Sequence, residues 1–173
     1  EALVDFGAET ALPLLEKYDN RIVVQTFSKS RSMAGMRIGY AMASPDLIKY
    51  LNDVKYSYNS YTMNLPSLLA GVEAVKDKSY FESTLAKIVA TRERSKKRLA
   101  ELGFTFPDSR SNFIFASHKT VPAGKIFEAL KKEQIYVRYF KTPGLDNSLR
   151  ISIGTDEEMD ALFRFLEAYL PNA

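Results

Sequence analysis

The chain has 173 residues, enough for one domain or one and a fraction, and 46% of them are hydrophobic, ample for a core. The absence of cysteine and the single histidine, His118, exclude disulfides, thiolate metal sites, histidine clusters and Ser-His-Asp triads. Lysine and arginine number 24 against 21 acidic residues, a mild and well-mixed net charge of +3 that is unlike the concentrated basic face of a nucleic-acid binder. No apolar run is long enough to span a membrane, and the first residues carry no secretion signal, so a soluble, cytoplasmic α/β protein is expected, with neither nucleic acid nor membrane as partner.

In chain order, Glu1–Phe6 reads as the end of a strand entering a loop, and Glu9–Tyr18 as a short helix burying Leu14, Leu15 and Tyr18. The apolar run Ile22-Val23-Val24 reads as a buried strand, and strand, helix and strand in that order argue for a parallel sheet with crossover helices. Such sheets bind ligands beyond the carboxyl ends of their strands, which is where the polar loop carrying Lys29 falls. Thr26, Ser28, Ser30 and Ser32 surround Lys29 with hydroxyls, Arg37 follows eight residues later, and a second strand-like run spans Ile38 to Ala43. Together these residues offer an amine nucleophile beside a site for a phosphate dianion. Pyridoxal phosphate asks for that combination, an amine to form a Schiff base with its aldehyde and hydroxyl plus guanidinium donors for its phosphate. Taken alone, a lysine among serines on a loop is usually just a solvated residue.

Ser44-Pro45-Asp46 is an N-cap followed by proline at the first helical position, predicting a helix to about Lys55 with Leu47, Ile48, Leu51 and Val54 inward. The tyrosine-rich stretch Tyr56–Asn64 reads as a surface loop. Helices are predicted over Leu65–Val75 and Tyr80–Leu102, the latter with Arg92 to Arg98 as a solvated basic face and Gly103 as its stop. Beyond it, strands Asn112–Ala116, Ile135–Tyr139 and Leu149–Ile153 interleave with a helix over Pro122–Glu133. Thr155-Asp156-Glu157-Glu158 is a capping box opening a last helix, with Met159, Leu162, Phe163, Leu166 and Leu170 inward. The texture predicts a small α+β domain, with the division drawn as residues 1–70 and 71–173. Leu149 to Ile153 alternates strictly, so Arg150 faces away from the buried side and, by itself, reads as a solvated strand residue. His118 reads as a turn residue without chemical duty.

The lysine loop resembles the signature of class-I, fold-type-I aminotransferases, in which Ser-x-Ser-Lys is followed by a small residue, an apolar one, Gly-x-Arg, an apolar residue and Gly. Thr26 stands where the class pattern has Gly or Ser and keeps a hydroxyl. The form found here, Thr26-Phe27-Ser28-Lys29-Ser30-Arg31-Ser32-Met33-Ala34-Gly35-Met36-Arg37-Ile38-Gly39-Tyr40-Ala41, is most similar to the histidinol-phosphate aminotransferases. The resemblance implies an α/β fold, a partial parallel sheet of a fold-type-I large domain plus a small α+β C-terminal domain. It implies pyridoxal 5'-phosphate as cofactor, held by Lys29 as the catalytic lysine and by Thr26, Ser28 and Arg37. Leu149-Arg150-Ile151-Ser152-Ile153-Gly154 and Val137-Arg138-Tyr139 are similar to the family's segments with substrate-anion arginines. Arg150 and Arg138 would therefore meet the phosphate of histidinol phosphate and the carboxylate of glutamate, a guanidinium fork gripping either through paired bonds.

By the same resemblance, 2-oxoglutarate is the partner substrate, histidine biosynthesis the setting, and a homodimer the assembly. A related aminotransferase or decarboxylase for aromatic or phosphorylated amino acids is the alternative enzyme, and a catalytically silent folding or interaction module the alternative of another class. The chain matches only the later half of the family, so it reads as a fragment inactive alone. The family's Asp-Glu-Ala-Tyr segment would place its aspartate immediately before Glu1 and its tyrosine at Leu3, where leucine offers no donor.

Overall fold

The computed structural model describes all residues, Glu1–Ala173, and the chain divides into two compact units, Glu1–Leu85 and Ala86–Ala173. Unit 1 holds a two-stranded sheet, β1 (Ile22–Thr26) and β2 (Gly39–Ala43), followed by helices α1 (Pro45–Tyr58) and α2 (Leu65–Lys76). The strands pair antiparallel, in a register running from Ile22 opposite Ala43 to Thr26 opposite Gly39. The parallel pairing expected from the strand–helix–strand order is not what forms. Glu1–Phe6 supplies no strand but a 3₁₀ turn at Val4–Phe6, and the expected Glu9–Tyr18 helix shrinks to another at Leu12–Leu14. Pro13 lacks the N–H that a helix interior needs, so no helix runs through it from Glu9, and it stands instead in the first turn of the short 3₁₀ segment. The connection from Phe27 to Ile38 contains only a 3₁₀ turn at Ala34–Met36, so the chain reverses and returns beside β1.

Pro45 at the first position starts α1 as expected, but none of its residues is buried, and Leu51 and Val54 are exposed. In α2, Asn64 caps the start by accepting from the Ser67 N–H at 2.9 Å. Its buried residues, Ser67 and Gly71, are small, because this face lies close against Phe27 and Ile38: a Cβ on Gly71 would sit 2.9 Å from Ile38 Cδ1. The Ser67 hydroxyl donates to the Met36 carbonyl at 2.8 Å, a second tie from α2 to the lysine loop.

Helix α3 (Lys78–Glu101) contains the division between the units and is stopped by Gly103 just beyond it, whose φ of 85° is the left-handed conformation that glycine reaches without strain. Unit 2 continues with β3 (Phe104–Thr105), β4 (Phe113–His118), α4 (Ala123–Lys132), β5 (Arg138–Tyr139), β6 (Leu149–Ser152) and α5 (Asp156–Tyr169). Its sheet is antiparallel, in the order β3-β4-β6-β5. One sheet face carries Ile114, Ala116, Leu149 and Ile151, which join Leu99, Ile126, Leu130, Met159, Leu162, Phe163 and Leu166 from the helices in one core. Thr155 and Glu158 close the reciprocal capping box that opens α5.

Two expectations for unit 2 are corrected. The basic run on α3 is not a simple solvated face: Arg92 is 4% exposed and donates to Glu93 and to the Ser111 carbonyl. Lys96 bridges Glu93 and Asp108, Arg94 reaches Asp156 and Asp160, and Arg98 reaches Glu101 and Glu167. A helix packed against α5 meets that helix's acidic face, and its cations find partners there. His118 is not a turn residue but the buried end of β4, with Nδ1 accepting from the Val121 N–H at 3.0 Å. That fixes the ring proton on Nε2, which donates to the Leu102 carbonyl at 3.1 Å.

Candidate active site

The lysine loop begins where β1 ends. Phe27 is buried and its N–H donates to the Ile38 carbonyl, while the Met33 N–H donates back to the Phe27 carbonyl. Between these anchors the chain turns tightly, with the Ser32 N–H on the Lys29 carbonyl at 3.0 Å and Ser32 itself at φ 54°. The turn presents the Lys29 side chain to solvent, without a hydrogen-bond or ion-pair partner. Arg37, at φ 58°, is also exposed; one N–H donates to the Ala34 carbonyl at 2.8 Å, and no carboxylate pairs with it.

Thr26 and Ser28 are brought together, their hydroxyl oxygens 2.8 Å apart. Thr26 donates its only hydroxyl proton to the Ile38 carbonyl at 3.0 Å, so it accepts from the Ser28 hydroxyl and also from the Ser28 N–H at 3.1 Å. It braces the loop and aims Ser28. Two neighbours of Lys29 went unassigned in the sequence reading. Ser30 is buried and donates to Asp5 at 2.5 Å, and the Arg31 guanidinium lies over the Phe81 ring. An isolated hydroxyl or charge in a polar loop carries no sign of such partners. Leu3, at the position where a tyrosine was expected by resemblance, is half-buried and precedes the first 3₁₀ turn.

In unit 2 the sheet face opposite the core carries the other candidates. Register places Arg150 directly opposite Arg138 on one side and Phe115 on the other. Two guanidinium groups facing each other on neighbouring strands repel, and neither has a carboxylate partner to offset this. Their flat faces meet aromatic rings instead. Arg150 lies 5.5 Å from the Phe113 ring centre and 6.0 Å from that of Phe140, and Arg138 lies 5.2 Å from Phe140. Ring faces stabilise the cations without consuming their N–H groups, leaving both forks free for an anion. The sequence reading missed these phenylalanines, although the two-residue period puts Phe113 and Phe115 on the face away from Ile114 and Ala116. No group of three acidic, histidine or cysteine residues could hold a metal ion, and no helix is long and apolar enough to cross a membrane.

The chain is 51% identical over 173 residues to the histidinol-phosphate aminotransferase of Brachyspira hyodysenteriae, an alignment covering 99% of this chain and 49% of that protein. It is 53% identical over 159 residues to the protein of the same name from Clostridium acetobutylicum, covering 92% of this chain and 45% of that one. Among solved structures, histidinol-phosphate aminotransferase from Sinorhizobium meliloti, in complex with pyridoxal-5'-phosphate, superposes with a TM-score of 0.79 at 29% identity, over 99% of this chain and 46% of that one. The chain thus spans about half the length of the curated relatives it matches. With its residues 1–166 matched by the family description "Aminotransferase class I and II", the chain belongs to that aminotransferase family.

Proposed function

We propose that this chain carries the cofactor lysine and the substrate-anion arginines of a pyridoxal-phosphate-dependent aminotransferase acting on histidinol phosphate and 2-oxoglutarate. The observation that carries the reading is Lys29, an exposed and unpartnered amine on a loop whose backbone is pinned on both sides of it. The donor set fits the cofactor's phosphate. Ser28 would turn its hydroxyl from Thr26 to a phosphate oxygen, Arg37 would add charge-assisted bonds, and Thr26 would keep Ser28 aimed. When bound, pyridoxal phosphate supplies an aldehyde that condenses with amines and a ring that withdraws electrons from the substrate's Cα. Lys29 Nζ would then take the Cα proton as general base and return a proton as general acid. Arg150 and Arg138 would orient the substrate through its anion, with their mutual repulsion relieved on binding.

The names of the relatives at about half identity support histidinol phosphate as the amino substrate. The division of labour we propose assigns the cofactor loop to unit 1 and substrate-anion recognition to unit 2. The complete protein is proposed to be a homodimer in histidine biosynthesis. Borohydride reduction of the complete protein with pyridoxal phosphate, followed by peptide mass spectrometry, tests the central residue. The adduct is expected on the peptide containing Lys29; an adduct spread over surface lysines, or absent, overturns the assignment.

A further inference from the structure

Arg31 is two residues from Lys29 and has no part in the scheme above, yet it is the most heavily engaged charge of the loop. It is half-buried, and its Nη1 donates to the Ala74 carbonyl in the last turn of α2 at 2.5 Å. Its guanidinium carbon lies 4.0 Å from the centre of the Phe81 ring, near the start of α3, and 5.3 Å from that of Phe27. The surrounding cleft, about 310 Å³, also exposes Glu73 and Asp77, but Arg31 pairs with neither. Glu73 is held by Lys76 at 2.8 Å, and Asp77 accepts from the Tyr80 N–H at 3.1 Å. A carbonyl and two ring faces are what a planar, multi-donor cation can satisfy at once and a lysine ammonium cannot. Between Lys29 and Arg31, Ser30 is held to Asp5. Lys29 therefore has a free side chain on a backbone clamped at the next two residues.

We propose that Arg31 is a positioning residue for Lys29, fixing the lysine loop to the junction of α2 and α3 through the Ala74 carbonyl and the Phe81 ring. The proposal rests on the reading of Lys29 as the cofactor lysine. Replacing Arg31 by Leu keeps apolar contact with Phe81 but removes the planar cation and its donors. The loop then loses one clamp, and the amine samples orientations that do not meet the aldehyde.

The test uses the complete protein well below its melting temperature, with folding verified by circular dichroism and pyridoxal phosphate as probe. The rate of borohydride-trapped adduct at Lys29 is measured across pH. Arg31→Leu should trap roughly tenfold more slowly, since small misplacements of a reacting group cost large factors in rate. Arg31→Lys should recover only part of this loss, and Phe81→Leu, which spares the Ala74 bond, should slow trapping by roughly threefold. Labelling of other lysines should stay unchanged. Trapping by folded Arg31→Leu at the wild-type rate throughout the pH profile overturns the proposal while leaving Lys29 in its role. If Arg31→Leu does not fold, wild-type trapping by Phe81→Leu and Arg31→Lys overturns it. A wild-type protein without adduct at Lys29 removes both this proposal and the reading beneath it.

Discussion

The two candidate clusters are held in place by different physics. In unit 1 the lysine loop is fixed by a handful of hydrogen bonds and ring contacts, around a buried apolar set that reduces to Phe6, Val23, Phe27 and Ile38. Its helices leave Tyr50, Val54, Leu65 and Leu69 exposed, and every large exposed apolar side chain except Tyr136 and Leu145 lies in this unit. In unit 2 the arginines ride on strands whose opposite face belongs to a continuous core, so strand register sets their spacing. Geometry set by register is backed by the cooperative stability of the sheet. Geometry set by a loop depends on each of its few ties.

Core truncation gives the largest expected difference between the regions. Leu99 is fully buried, and Leu99→Ala should destabilise the chain by about 2–5 kcal/mol through lost transfer energy and a residual cavity. Leu69 is 60% exposed, and Leu69→Ala should change stability by no more than about 0.5 kcal/mol. Urea unfolding of the 173-residue chain reads both; comparable losses would break the comparison.

The arginine face comes next. Losing a charge-assisted hydrogen bond costs about 1.5–3 kcal/mol, roughly one to two orders of magnitude in affinity. In the complete protein, Arg150→Ala should weaken glutamate and histidinol phosphate alike, while Arg138→Ala should weaken histidinol phosphate more. Single-turnover kcat/KM for each half-reaction measures this. Equal losses in Arg138→Ala would remove its selectivity, and no loss in Arg150→Ala would return that residue to a solvated strand position.

The smallest effect is electrostatic. Asp156 is held below the usual carboxylate range by the Thr91 hydroxyl and then by Arg94, and Glu93 by Lys96 and then Arg92. Because folding lowers these pKa values, the contribution is present above the unfolded-state values and lost as pH falls through the folded ones. Stability of unit 2 should be flat from pH 7 to about 5 and decline toward pH 3. Asp156→Asn should flatten that decline; an unchanged acid limb would show that the network contributes nothing measurable.

How much was legible in the sequence follows the same contrast. The capping box at Thr155, proline at the start of α1 and the alternation of Leu149 to Ser152 are local codes, and the structure realises each. The antiparallel hairpin was misread because Glu1–Phe6 forms no strand and the chain from Phe27 to Ile38 holds only a 3₁₀ turn, so β2 pairs back on β1. Arg92 was misread because its partner, the Ser111 carbonyl, is distant in sequence. Lys29, Arg37 and the arginines were nameable from motif resemblance, whereas the ties around them were not. The Arg138–Arg150 pairing depends on strand order, and the Arg31 clamp on where α2 and α3 meet, neither of which a linear pattern encodes.

The central claim is that Lys29 performs the proton transfer and is not merely a solvated loop residue. Its most direct measurement is single-turnover transamination by the Lys29→Ala variant of the complete protein, with cofactor retention followed in parallel. The account predicts that Ser28, Thr26 and Arg37 still retain cofactor without a covalent link while transamination is lost. Normal turnover by Lys29→Ala would contradict it.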